Sequence, residues 1–302
     1  MMIRAVLGNP NHPEYGVATI PFPIPHDQYT YCMDLLEALE IGDAVKADCK
    51  VVAVDSFFSV LKRTEMLTVN VEELNYLAKR LESFDTGEAA QFQAMAHKLE
   101  LFELKDLINL TFCCQQATVI TDFSDLAAVG RDHYMNLHGG SASVDELNKL
   151  DGEETARRLI ENGSGKITPY GVVYDNGMKL EQVYDGRFFP CYYYEPNVIT
   201  VAVTSKAEPE DTEHITWLFL PMVQEEIDRA LLRGGITYPA DVRLRLEDSQ
   251  LPNEVDVLLD MEYETLSDLN ELAEATVGLS KADMEKLGAV VTLAEPKSAA
   301  QI

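Results

Sequence analysis

The chain has 302 residues, enough for two or three compact domains, and its 46% apolar content suits ordinary buried cores rather than disorder. Its charge is the outlying quantity, since 24 Lys and Arg against 51 Asp and Glu leave a formal net charge of −27 at pH 7. That balance argues against direct binding to nucleic acid and against anionic membrane surfaces, because both draw on protein cations.

In chain order, Ile3 to Leu7 reads as a short strand ending at Gly8-Asn9-Pro10, and Val17 to Phe22 as a second strand stopped by Pro23-x-Pro25. From Asp27 to Leu39, Tyr31, Leu35, Leu36 and Leu39 recur at helical spacing, with Asp34, Glu37 and Glu40 on the other side. Cys49 to Val54 is β-branched and strand-like. Asn70-Val71-Glu72-Glu73 has the Asn-x-x-Glu form of a capping box and opens a helix through Leu81, and another helix begins after Thr86. Glu103 to Phe112 reads as helix, Thr118 to Ile120 as strand, and Ser124-Asp125 as the cap of a helix running to Leu137. Ser143-x-x-Glu146 is a further capping box, and Gly152 to Glu161 is a helix closed by Asn162-Gly163. Between Tyr170 and Tyr194, Asp175-Asn176-Gly177 and Asp185-Gly186 stand between runs of Val, Tyr and Phe, which predicts a three-stranded meander. Val198 to Thr204 reads as a fourth strand beside it, and Lys206 to Glu213 as a linker.

The segment beyond the linker echoes the start of the chain. Ile215 to Pro221 parallels Ala18 to Pro25, Leu231-Leu232 parallels Leu35-Leu36, and Val242 to Leu246 before Asp248-Ser249 parallels Val51 to Val54 before Asp55-Ser56. Ser267-Asp268-Leu269-Asn270-Glu271-Leu272-Ala273 matches Glu72-Glu73-Leu74-Asn75-Tyr76-Leu77-Ala78. The expected architecture is an α+β, elongated, multi-domain chain of small mixed sheets with packed helices, its N-terminal unit repeated at the C-terminus. The divisions expected are an α+β unit over 1–102, a helical segment with the tyrosine-rich meander over 103–205, and the related unit over 206–302.

Candidate chemistry is sparse. Cys32, Cys49, Cys113, Cys114 and Cys191 form an odd set without a CxxC, so neither a disulfide framework nor a zinc knuckle is written here. His133 and His138 are badly spaced for two ligands on one helical face, and Gly163-Ser164-Gly165-Lys166 lacks the full phosphate-binding loop. The chain is therefore expected to be no enzyme and to need no cofactor or metal. No apolar core of a signal peptide and no apolar window near ~20 residues is seen, which predicts a cytoplasmic protein.

The acidic excess is spread along the chain and heaviest after residue 206, unlike an appended acidic tail. Carboxylates on predicted helices at the density of duplex phosphates, about one per ~1.7 Å of axis, suit the basic channel of a DNA-binding protein. The candidates are Glu72, Glu73, Glu82, Asp122, Asp125, Asp132, Asp145, Glu146, Glu153, Glu154 and Glu161. Glu72 to Leu81, Asp106-Leu107-Ile108-Asn109 and Asp122 to Ala127 with Gly130 resemble the ArdA-type antirestriction proteins of mobile elements, over residues 1–205. That resemblance implies a DNA mimic, usually a homodimer, that occupies the DNA-binding groove of Type I restriction-modification enzymes; Glu72, Glu73, Asp122 and Asp125 match by position. The segment after residue 206 departs from the family pattern. Two other readings stand beside it: a mimic aimed at another basic groove, such as a CRISPR effector's, and an acidic adaptor whose charge serves solubility.

Overall fold

Alternating burial of Ile3, Ala5 and Leu7 gives the first strand one buried face, and it pairs with a strand that buries Ala18, Ile20 and Phe22 along one edge and with a strand that buries Cys49, Val51 and Val54 along the other. The structure, a computed structural model, describes residues 2–194, 196–207 and 213–302. The expected linker at Lys206 to Glu213 falls for the most part outside the described residues.

The first of two compact units comprises Met1–Ile24, Leu36–Gly42 and Ala47–Tyr184; the second comprises Pro25–Leu35, Asp43–Lys46 and Asp185–Ile302. Strands β1 (Ile3–Gly8) and β2 (Val17–Phe22) precede helix α1 (Tyr29–Glu37), and β3 (Cys49–Asp55) and β4 (Thr68–Val69) complete an antiparallel sheet of order β2-β1-β3-β4. Helix α2 (Val71–Glu82) buries Leu74, Leu77, Ala78 and Leu81. Its Asn70 cap accepts the Glu73 N–H at 3.1 Å. Helix α3 (Thr86–Lys98) starts in a reciprocal capping box between Asp85 and Glu88, and α4 (Leu104–Leu110) packs against α2 and α3.

The rest of this unit carries β5 (Thr118–Ile120), α5 (Leu126–Leu137), α6 (Val144–Lys149), α7 (Gly152–Asn162), β6 (Lys166–Thr168) and β7 (Gly171–Tyr174), with sheet order β5-β7-β6. The expected meander does not form. Asp175-Asn176-Gly177 makes the predicted tight turn, with positive φ at Asn176 and Gly177 and Met178 N donating to Asp175 O at 2.8 Å. Among the described residues no strand returns beside β7, because β5 and β6 already occupy both of its edges. The chain is held by side chains instead: the Asn109 amide donates to Tyr184 O at 3.0 Å and accepts from Tyr184 N at 2.7 Å.

In the second unit β8 (Ile199–Ser205), β9 (Thr216–Leu220), α8 (Gln224–Arg233), β10 (Val242–Ser249), α9 (Asn253–Asp256), α10 (Leu266–Thr276) and α11 (Lys281–Ala294) surround a core of Ile199, Val201, Val203, Leu218, Leu220, Ile227, Leu269 and Leu272. Burying each of these aliphatic side chains contributes roughly 1.5–3 kcal/mol. Arg233, buried at the end of α8, donates to the carbonyls of Ala44, Gly186 and Arg187 at 2.9, 3.2 and 2.8 Å, and lies over the Phe189 ring. These bonds take up backbone after Asp185 that the sequence assigns to the meander.

Strand β8, which the sequence reading places with the middle segment, is the central strand of the second unit's sheet, of order β10-β8-β9. That order repeats β3-β1-β2 of the first sheet, with Ile199 opposite Leu220 as Ile3 is opposite Phe22. Asn75 Oδ1 accepts from Ile24 N at 2.8 Å, and Asn270 Oδ1 accepts from Met222 N at 2.8 Å. Among the described residues the sheets are not identical, since a fourth strand extends the first alone. All strand pairs among the described residues are antiparallel, in place of the mixed sheets expected.

Helices α5 and α7 cross with their backbones in contact. A Cβ on Gly130 would stand 1.9 Å from Gly152 O, and one on Gly152 would stand 2.4 Å from Ala127 O. Gly130→Ala should therefore push the helices apart and destabilise the chain by about 1–3 kcal/mol, read as a lower urea midpoint.

Candidate functional site

The residues between α2 and the end of α5 enclose an open cleft of about 1090 Å³ within the first unit. Arg80 comes to it from α2, Asp85 and Glu88 from the start of α3, and Thr111 and Phe112 from just after α4; Asp122 and Asp125 come from the loop between β5 and α5, and Asp132 and Asn136 from α5. Five carboxylates thus share this cleft with one guanidinium. The guanidinium is tethered: Arg80 donates to Thr111 Oγ1 at 3.2 Å and Thr111 O at 3.0 Å, and lies 4.3 Å over the Phe112 ring.

Most of these carboxylates are fixed by local backbone chemistry. Asp122 accepts from Ser124 N and Ser124 Oγ, both at 2.8 Å, and these bonds hold its carboxyl below the usual range. Asp125 caps α5 by accepting from Ala128 N at 2.8 Å. Asp85 accepts from Glu88 N at 2.8 Å, while Glu88 accepts from Asp85 N at 3.0 Å and from Gln115 Nε2 at 3.4 Å. Asp132 is different. Partial burial pushes its carboxyl above the usual range, with Arg131 opposing the shift and Asp125 adding to it.

Among the sequence candidates, Asp122, Asp125 and Asp132 are brought together in the cleft, while the others are dispersed. Asp145 and Glu146 are exposed on α6, where Glu146 accepts from Ser143 N at 2.8 Å in the predicted capping box. Glu153, Glu154 and Glu161 are exposed on α7. Glu153 pairs with Arg157 at 3.5 Å and Glu154 with Arg158 at 2.8 Å, so part of that helix's charge is neutralised locally. Glu72, Glu73 and Glu82 are only half-exposed on α2. Glu73 is occupied inside the fold, accepting at 2.8 Å from the hydroxyl of Tyr184, a fully buried residue.

Sequence reasoning does not single out Asp85 and Glu88, although Asp85-Thr86-Gly87-Glu88 is a legible Asp-x-x-Glu cap. Other motifs resolve as structural. Gly163 and Gly165 leave room for the Tyr174 ring, which added Cβ atoms would approach to 2.6 and 2.7 Å, and Lys166 donates to Lys98 O at 3.1 Å. Cys113 and Cys114 are buried, and burial pushes both thiols up. His133 meets Thr118, whereas His138 Nδ1 meets Tyr134 O at 2.6 Å. Among the described residues no cluster of His, Cys, Asp and Glu could hold a metal ion, and no helix is long and apolar enough to cross a membrane. No protein-family model matches the chain, and no curated protein matches it significantly.

The Glu73–Tyr184 bond separates structural from surface charge. Glu73→Ala removes this bond from the Tyr184 hydroxyl and should cost about 1–3 kcal/mol, whereas Glu73→Gln keeps an acceptor and should cost less than about 1 kcal/mol, both measured by urea unfolding.

Proposed function

We propose that the protein is an antirestriction DNA mimic, a cytoplasmic homodimer that occupies the DNA-binding groove of a Type I restriction-modification enzyme. The observation that carries this reading is the convergence of Asp85, Glu88, Asp122, Asp125 and Asp132 on one cleft in a chain of net charge −27. A channel of Lys and Arg built for phosphates gains from such an array by releasing the anions held along it, a gain that weakens with salt. Caps and turns hold four of the five in place, so a partner meets carboxylates whose ordering has already been completed by folding. The resemblance of Glu72 to Leu81 and Asp122 to Ala127 to ArdA-type proteins supports the choice of target and the homodimer. The dispersed carboxylates of α6 and α7 extend the acidic surface, with Arg157 and Arg158 tempering it.

The test is competition with DNA for a purified Type I restriction-modification enzyme across a salt series. The unaltered protein should compete near stoichiometry at low salt and lose potency steeply as salt rises. The triple variant Asp122→Asn, Asp125→Asn, Asp132→Asn retains capping groups but loses charge. It should compete at least about tenfold less well, with a salt slope shallower by about two to three. Glu73→Gln should compete like the parent. Absence of competition at low salt would rule out this target.

A further inference from the structure

Thr118, at the start of β5 and 2% exposed, is the meeting point of three side chains. Asn176 Nδ2 lies 2.9 Å from Thr118 Oγ1 and 2.8 Å from Gln116 O; Asn136 Nδ2 lies 3.4 Å from Thr118 Oγ1 and 3.1 Å from Ala117 O. Each amide faces a backbone carbonyl as well as the hydroxyl, so in both cases the group pointing inward is the NH2, with one proton for each acceptor. A hydroxyl oxygen has two lone pairs, and these two amides fill them. Its single proton is then left for His133 Nδ1, 2.9 Å away. The ring is thereby held neutral, with Nδ1 accepting and its own proton on Nε2.

The geometry points to His133 as a pH-sensitive latch between α5 and β5: protonating the ring places a third donor against a hydroxyl oxygen that is already saturated, and acidification thus releases the helix from Thr118. The latch joins three elements, namely α5 through His133 and Asn136, β5 through Thr118, and the turn after β7 through Asn176. The helix it secures carries Asp132, and Asp125 caps it.

Charged and titratable groups on the surrounding elements do not hold the imidazolium in place. On α5 and its caps these are Asp125, Arg131, Asp132, Tyr134 and His138; the turn after β7 has Asp175, paired with Lys98 at 2.6 Å; the short turn before β5 has the buried Cys114. On α7, Glu153 and Glu154 are paired with Arg157 and Arg158, and Glu161 is exposed. None of them offsets burial, which lowers the His133 pKa from its ordinary value of 6.5. With the folded pKa depressed, the unfolded chain takes up the proton first as pH falls. The latch therefore contributes fully above 6.5 and is lost progressively below it.

The experiment is a side-chain NMR titration of the full chain from about pH 7.5 to about pH 5, following the His133 ring nitrogens and the Asn136 and Asn176 side-chain amides. Three results are expected: an Nε2–H tautomer at neutral pH, a midpoint below 6.5, and movement of both amides at that same midpoint. In His133→Gln, whose amide oxygen still accepts from Thr118 but does not titrate, the two amide signals should stay put over this range. An Nδ1–H tautomer, a midpoint at or above 6.5, amides that ignore the His133 titration, or an unchanged transition in His133→Gln would each overturn the latch. The wild-type tautomer and midpoint decide the matter even where the variant folds poorly.

Discussion

The approach of α5 to α7 through Gly130 and Gly152 is the constraint on which the acidic part of the molecule depends. Neither position has room for a side chain, so the two helices meet backbone to backbone, with Ala127 beside the contact. Such a contact fixes the separation of α5 and α7, since a methyl group cannot be inserted. The placement of α5 matters because that helix supplies one wall of the cleft. It sets the reach of His133 and Asn136 to Thr118 and the positions of Asp125 and Asp132. Gly152 also comes directly after Asp151, whose side chain caps α7 by accepting from Glu154 N at 3.0 Å. One short stretch thus both starts the second helix and seats it on the first.

A chain of charge −27 folds against its own repulsion, and the ion pairs of α7 do little to offset it. The pairs of α7 are exposed and one turn apart, a class worth about 0–1 kcal/mol each. Fixed amides and capping oxygens recur where loops must be held. Asn75, Asn109 and Asn270 each bind the backbone of a distant segment, and Asp85, Asp125, Ser143 and Asp151 each accept from one of a helix's first free N–H groups. Carboxylates used this way sit at the positive ends of helices, where their charge is favourable rather than merely tolerated. Part of the acidity is therefore structural chemistry that also faces solvent.

That double use explains how much of the molecule is legible in sequence. Helix starts are readable because caps are local: Asn70, Asp125 and Ser143 all cap as their spacing suggests. Strands β2 and β5 have the bounds their composition predicts, Val17–Phe22 and Thr118–Ile120. The meander is not legible, because a turn motif specifies a reversal but not a partner. Asn176 and Gly177 turn the chain as expected, and the occupied edges of β7 decide that nothing pairs there. For the same reason sequence misplaces Glu73 on the open surface: its partner, Tyr184, lies 111 residues away, and no local pattern reports such a bond. The cleft is half legible. Asp122, Asp125 and Asp132 cluster in sequence, while the convergence of Asp85 and Glu88 upon them is a product of tertiary packing.

Within the cleft, the carboxylates do not carry equal weight as evidence for a partner. Asp85, Glu88, Asp122 and Asp125 all have folding roles, and a protein without any ligand would keep them to cap α3, to cap α5 and to close the turn at Ser124. Asp132 has no hydrogen-bond partner among the described residues, and burial opposes its ionisation, with Arg131 offsetting part of that and Asp125 adding to it. Folding alone gives no reason for a carboxyl there, and an amide or hydroxyl would fit with less electrostatic cost. A cationic partner entering the cleft would stabilise the ionised form. On the mimic reading Asp132 is thus the carboxylate whose neutralisation should weaken binding without weakening the fold.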